Sequence, residues 1–298
     1  MKIPTYQQQQ ELVLKGYAKV STDGIFDTFK YSRQVMYKYL WNELKESNIL
    51  ECRGHVYNNQ TGELVNLPVS KSFNYLELDT WKDVSLHQDI LVFKKFNGYM
   101  LSCTIYQGNL LVSTTGSTKS EYALWAKDFI QNNWKDYKIL IDSDHTTLFE
   151  VVADWDKHIV EEPIGIFVLG KRDKRTGFWY PLGDLGDYTR TTLDGILQAA
   201  SADKHEGWMI YKVVNNSILT SDFCKLKTDY YVGKKKLMRM KKTDVIWNQT
   251  RSVENQLPDC WKFAVEKIKE TFKPEGWASL SDQQRRIELE GMEERYGQ

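Results

Sequence analysis

The chain has 298 residues in which 40 Lys and Arg balance 40 Asp and Glu, so no overall field marks it as a polyanion binder and any anion site must come from local basic clusters. Hydrophobic residues make up 41% and charged residues 27%, and no segment reaches the roughly 20 apolar residues that span a bilayer, which excludes a helical membrane protein. The length suits one large catalytic domain plus a small appendage.

The N-terminal MKIPTYQQQQ lacks the apolar core of a secretory signal, and Cys52, Cys103, Cys224 and Cys260 show no C-x-x-C spacing. A reduced, cytoplasmic monomer is expected. From about residue 49 to 230, β-branched and aromatic runs alternate with Gly, Asn and Asp turns. Residues 55–57, 99–106 and 110–113 read as strands, with Gln107-Gly108-Asn109 as a hairpin turn. Thr118 and Glu121 have capping-box spacing ahead of Tyr122, Trp125, Ala126, Phe129 and Ile130, which recur at helical intervals.

Strand signals fade at the basic run of residues 232–242, which either grips nucleic-acid phosphates or forms a solvated linker. Beyond it, Trp261, Ala264, Val265, Ile268 and Phe272 mark an amphipathic helix ended by Lys273-Pro274-Glu275-Gly276. A last helix is expected from Ser281, with Gln284 completing its cap. The pattern predicts an α+β chain, with one unit over residues 1–242 and a small helical unit over 243–298.

Chemistry concentrates in a few segments. Lys95-Phe96-Asn97-Gly98 is a K-x-x-G at the end of an apolar run, by itself a weak signal because most such lysines are solvated. Leu148-Phe149-Glu150 sets an acid inside an apolar strand, and Glu206-Gly207-Trp208-Met209-Ile210 opens another with an acid and a glycine. In Lys225-Leu226-Lys227, alternation puts two cations on one strand face, an arrangement that asks for an anion. The five histidines show no metal-ligand spacing, and Asp142 and Asp144 read as turn formers.

In this order and at these spacings, the segments resemble motifs I, III, IV and V of the covalent nucleotidyltransferase superfamily, with residues 166–172 similar to its motif IIIa. Leu50-Glu51-Cys52-Arg53-Gly54 and Pro68-Val69-Ser70-Lys71-Ser72-Phe73-Asn74 are similar to an "ECRG … P-x-x-K-F-F-N" block that narrows the resemblance to the bacteriophage T4 RNA ligase 1 family. Gly116-Ser117-Thr118-Lys119-Ser120-Glu121 resembles that family's "GSIKSE".

The resemblance implies an adenylyltransferase fold of antiparallel sheets flanked by helices, and an ATP-dependent RNA ligase. Lys95 would become lysyl-AMP, AMP would pass to an RNA 5′-phosphate, and a 3′-hydroxyl would then displace it. By the same carry-over, Tyr31, Arg53, Lys71, Glu150, Lys225 and Lys227 would bind ATP, and Asn97, Gly98 and Gly207 would line the nucleotide pocket. Glu206 would hold Mg2+ or Mn2+. Single-stranded RNA or broken tRNA would be the partner, in a host cytoplasm if the chain is of phage origin. A free lysine has a pKa of about 10.4, so cations such as Arg53, Lys225 and Lys227 would have to favour the neutral, nucleophilic amine.

Two other classes compete. A DNA ligase or capping guanylyltransferase shares the motifs but appends an OB-fold, unlike the helix-patterned tail after Lys227. A non-catalytic RNA-binding relative would have no need of Lys95, Glu150, Glu206, Lys225 and Lys227 together. Departures from the family are Asn97 for a common aspartate, Ser72 for an aromatic, and Thr115 for a lysine.

Overall fold

The computed structural model describes residues 3–134, 137–156, 158–182, 188–215, 217–240 and 245–297. The boundary expected between 242 and 243 lies outside the described residues, as do Lys241 and Lys242 of the basic run.

The β-branched and aromatic runs form three antiparallel sheets among the described residues. The first joins β1 (Ala18–Asp23), β2 (Phe26–Tyr31), β3 (Arg53–Asn58) and β4 (Leu64–Asn66) in sequence order. After β5 (Asp89–Lys94) come β6 (Tyr99–Tyr106), β7 (Asn109–Thr114), β8 (His145–Val152), β9 (Gly165–Asp173) and β10 (Trp179–Pro181), which form a second sheet in the order β10-β9-β8-β6-β7. The third sheet combines β5 with β11 (Tyr188–Thr192), β12 (Gly207–Val214) and β13 (Ser217–Lys227) in the order β11-β5-β12-β13. The chain is thus α+β, with the expected hairpin between β6 and β7.

The second and third sheets each have one face covered by a helix, which leaves the other to face inward. Helix Glu121–Asn133 lies over the second sheet, with Ala123, Ala126 and Ile130 packed on Leu101, Cys103 and Phe149. Helix Leu193–Ala202 lies over the third, with Leu193 and Ile196 packed on Ile90, Ile210, Cys224 and Leu226. Between the two sheets, Leu91, Phe93, Leu148, Trp179, Tyr211 and Val213 form an apolar layer. Burial of such side chains contributes roughly 1.5 to 3 kcal/mol each.

The structure revises several local expectations. The sheet region begins at Ala18 rather than near residue 49, because β1 alternates Lys19, Ser21 and Asp23 with few apolar residues and carries little sequence signal. The helix after Gly116 is capped by Ser120, whose hydroxyl accepts from Ala123 N at 3.2 Å, while Thr118 is drawn away to bond Asp23. The basic run is no linker up to Arg239: it forms helix Asp229–Arg239, capped by Thr228. A glycine costs about 1 kcal/mol in a helix, yet Gly233 fits here because an added Cβ would meet the Trp261 ring at 2.4 Å. Pro274 does not merely end a helix but opens the next, Pro274–Ser279, as its first-turn proline. The final helix starts at Ser281 with the expected Ser281–Gln284 capping box.

That last helix, helix Asp259–Thr271 and helix Asp229–Arg239 share one apolar cluster of Leu237, Met238, Trp261, Val265, Ile268, Leu289 and Met292. Ile159 and Val160, from the loop after β8, insert into the same cluster.

Candidate active site

Lys95 sits where the chain crosses from the third sheet to the second. Its backbone N–H still donates to Gly207 O at 2.9 Å, extending the β5–β12 pairing by one residue, and three residues later Gly98 delivers the chain to β6. This crossing brings Lys95 beside Glu206, which immediately precedes β12. Lys95 Nζ lies 2.9 Å from Glu206 Oε2, and Glu206 Oε1 lies 3.6 Å from Lys227 Nζ. Lys94 points elsewhere, to Glu162 at 2.8 Å.

The two glycines are required by strand contact. A Cβ on Gly98 would fall 2.1 Å from Val151 O, and one on Gly207, whose φ is +136°, would fall 2.1 Å from Leu226 O. Both reasons are structural ones that the motif reading did not contain. Gly98 N–H donates to Glu150 Oε1 at 3.1 Å, which fixes that carboxylate beside the crossing. Burial pushes the Glu150 carboxyl above the usual range; Lys95 opposes this and Glu206 reinforces it.

Buried Asn97 is oriented so that its amide oxygen accepts from Ile159 N at 2.8 Å and Val160 N at 3.2 Å. Both contacts need an acceptor oxygen, which Asn and Asp share. Asn97 thereby ties the Lys95 crossing to a loop anchored in the C-terminal helical cluster.

On β13, Cys224 and Leu226 face helix Leu193–Ala202, so Lys225 and Lys227 face the other way. The segment after β4 runs beside this strand: Lys225 N–H donates to Phe73 O at 2.9 Å and Tyr75 N–H to Lys225 O at 2.7 Å. Lys71 is thereby brought close, with its ammonium over the Phe73 ring at 4.2 Å. Burial lowers the Lys225 pKa to about 7, and the neighbouring charges of Lys71, Arg53, Lys95 and Lys227 add to the effect. Burial lowers Lys71 and Lys227 as well.

Lys95, Gly98, Glu150 and Lys225 border a cavity of about 380 Å³ between the second and third sheets. Arg53, Lys94, Lys95, Glu150 and Lys225 supply its charged groups, and Trp179, Met209, Tyr211 and Phe223 are prominent in its apolar wall. The cavity thus combines an apolar, aromatic wall with cationic groups.

The fold is shared with solved structures. The chain is similar to an archaeal ATP-dependent RNA ligase, with a TM-score of 0.54, 13% identity, and 96% of this chain and 82% of that one covered. A second form of archaeal ATP-dependent RNA ligase gives 0.53, 12%, 96% and 75%. A protein of Aquifex aeolicus described as a candidate ATP-dependent DNA ligase gives 0.53, 13%, 96% and 79%. The chain has the ATP-dependent ligase fold. No protein-family model matches the sequence.

Within this ligase fold, the structure brings together Lys95, Glu206, Lys225, Lys227, Glu150, Gly98, Arg53 and Lys71. Tyr31 is not among the residues that line the cavity; it packs edge-on against Trp41 at 4.9 Å. Asn97 contacts backbone rather than the cavity. Thr115 and Ser72, two of the departures from the family pattern, both line the cavity. Asp142 is a turn former as expected, with its carboxylate accepting from the N–H groups of Asp144 (3.0 Å) and His145 (2.8 Å). The aromatic wall of Trp179, Tyr211 and Phe223 was missed. Along β12, Trp208 and Ile210 face the helix and Met209 and Tyr211 the cavity, but all four are apolar, so no alternation in the sequence marked the wall.

Proposed function

We propose that this chain is an ATP-dependent RNA ligase that joins 5′-phosphate and 3′-hydroxyl ends of single-stranded RNA, with Lys95 as its nucleophile. The observation that carries this reading is Lys95 Nζ, paired with Glu206 at 2.9 Å, at the border of an aromatic-walled cavity that Arg53 and Lys225 also line. Adenine would enter the apolar slot, leaving the α-phosphate near Lys95.

The Lys95 amine would attack the α-phosphorus, forming an N–P bond as the bond to the β-phosphate oxygen breaks and pyrophosphate leaves. The ammonium would lose its proton to solvent beforehand, with Glu206 at 2.9 Å holding the lysine in position. A 5′-phosphate oxygen of RNA would then take the adenylyl group from Lys95. Finally the 3′-hydroxyl would attack that 5′-phosphate, forming the phosphodiester and releasing AMP. Arg53, Lys71, Lys225 and Lys227 would neutralise charge that grows on the phosphates, with each such cation supplying charge-assisted hydrogen bonds. Glu150 would orient the crossing through Gly98 N–H.

The donor set suits a divalent cation such as Mg2+ or Mn2+: Glu206 and Glu150 are hard oxygen donors near one another, and Mg2+ takes few carboxylates while keeping waters and phosphate oxygens. When bound there, the metal would supply charge stabilisation to the phosphates. In this reading residues 1–242 carry the nucleotidyl chemistry and 243–298 form the helical appendage.

Lys225 gives a proton-linked signature. With a pKa of about 7 it is largely neutral at pH 8, and phosphates binding beside it favour the charged form. ATP binding at pH 8 should therefore take up protons, a change seen as a buffer-dependent binding enthalpy in calorimetry. Proton release, or none, would contradict this placement of the phosphates.

RNA as acceptor rests on the segments around Arg53 and Lys71, because these distinguish the RNA ligase pattern. Single-stranded RNA with a 5′-phosphate should be sealed in preference to DNA of the same sequence and to nicked duplex DNA. Preferential sealing of nicked duplex DNA would overturn the RNA reading and favour a DNA ligase.

A further inference from the structure

The basic helix Asp229–Arg239 divides its charges between two faces. Tyr230 and Lys234 turn to the C-terminal helix: Lys234 is buried and paired with Glu290 at 2.7 Å, and Tyr230 OH donates to Glu293 at 2.6 Å. Lys236 is held by Gln256 Oε1 at 2.7 Å. Tyr231, Lys235 and Arg239, spaced at i, i+4 and i+8, lie along the other face. That face meets the end of β13.

There the ammoniums of Lys227 and Lys235 lie against a single ring, 4.8 Å and 5.1 Å from the centroid of Tyr231, and Lys235 Nζ donates to Tyr231 OH at 3.3 Å. The nearby carboxylate is Glu206, which is already divided between Lys95 and Lys227. Burial lowers the Lys235 pKa to about 7, with the charges of Lys227 and Arg239 adding to it. Two cations packed on one tyrosine and sharing a carboxylate with a third cost free energy in the absence of an anion. Lys234 shows that the same helix can neutralise a buried lysine when its role is structural.

We propose that Lys227, Lys235 and Arg239 form a phosphate subsite outside the cavity, beside the Lys95–Glu206 pair, that holds a phosphoryl group beyond the α-phosphate. The inference rests on the ligase reading for the position of the α-phosphate. Two sources carry this chemistry: the terminal phosphates of ATP, and the 5′-phosphate of the RNA end.

The test compares Lys235→Ala, Lys235→Arg and, as a control on the same helix, Lys236→Ala. Titration calorimetry reads dissociation constants for inorganic pyrophosphate, for AMP, and for an oligoribonucleotide with either a 5′-phosphate or a 5′-hydroxyl. Loss of one charge-assisted contact weakens binding about tenfold or more. Lys235→Ala should weaken pyrophosphate to that extent if the subsite serves ATP, or remove the preference for the 5′-phosphorylated end if it serves RNA. AMP should bind unchanged, Lys235→Arg should retain the affinity, and Lys236→Ala should match wild type. A folded Lys235→Ala protein with both phosphate-dependent constants unchanged overturns the subsite, as does one in which AMP weakens equally. These constants do not require adenylylation, so failure to label Lys95 would sink the ligase reading without deciding the subsite.

Discussion

Arg172→Ala should lower the stability of the protein by roughly 3 to 5 kcal/mol, the cost of leaving one partner of a buried ion pair uncompensated. Arg172 is 1% exposed and donates from Nη1 to Glu51 Oε2 at 2.8 Å and Pro68 O at 2.6 Å, and from Nε to Gly177 O at 3.0 Å. One guanidinium thus joins β9 to the chain on both sides of the β3–β4 hairpin. Glu51 is 4% exposed, and two residues later Arg53 lines the cavity, so the pair also sets the position of a proposed phosphate ligand.

Burial alone would raise the Glu51 pKa, but the His55 ring at 3.6 Å and the Arg172 guanidinium at 2.8 Å outweigh it and hold the carboxyl at about 2. An unfolded glutamate titrates near about 4.3. Since the folded value is the lower one, the stabilisation is complete above the unfolded pKa and is lost as pH falls toward 2. Urea unfolding at pH 7 and pH 3 should show a smaller acid-induced loss in Arg172→Ala than in wild type. Glu51→Gln in the Arg172→Ala background should recover part of the deficit by removing the orphaned charge. An Arg172→Ala midpoint equal to that of wild type at pH 7 would show that the pair contributes nothing.

The order of the chemistry-bearing segments was legible because each is short, polar and set in an apolar strand. Lys95, Glu150 and the Lys225–Lys227 pair stand out against Phe93, Phe149 and Leu226. What the sequence could not apportion is direction. Lys94 and Lys95 are chemically alike, and only the turn of the crossing sends one to Glu162 and the other to Glu206.

The cavity wall was hidden for a related reason. β12 is largely buried on both faces, so Trp208, Met209, Ile210 and Tyr211 form an unbroken apolar run in which period-two contrast vanishes. The basic run misled in the opposite sense. Its charge concealed a helix whose lysines go to Glu290, to Gln256 and to the Lys227 cluster, partners that lie from tens of residues down the chain to the end of the preceding strand. Thr118 had the right spacing for a cap, but a long-range bond to Asp23 took its hydroxyl.

Lys95→Ala should abolish covalent nucleotidyl transfer, because an alanine offers no group that can form the N–P bond. Loss of a covalent nucleophile typically exceeds thousandfold effects, as in the roughly 10⁶-fold losses seen when a hydrolase nucleophile is removed. The fold should survive, since Lys95 is only part-buried and its side chain contributes one ion pair with Glu206. Lys95→Arg keeps the charge and the pairing but not the nucleophilic amine, and should be equally inactive. The decisive measurement is incubation of wild type and both variants with α-labelled ATP and magnesium, followed by denaturing separation and mapping of the labelled peptide. One adenylyl group on Lys95 is expected in wild type and no labelled protein from either variant. Label retained in Lys95→Ala, or mapped to another residue in wild type, would contradict it.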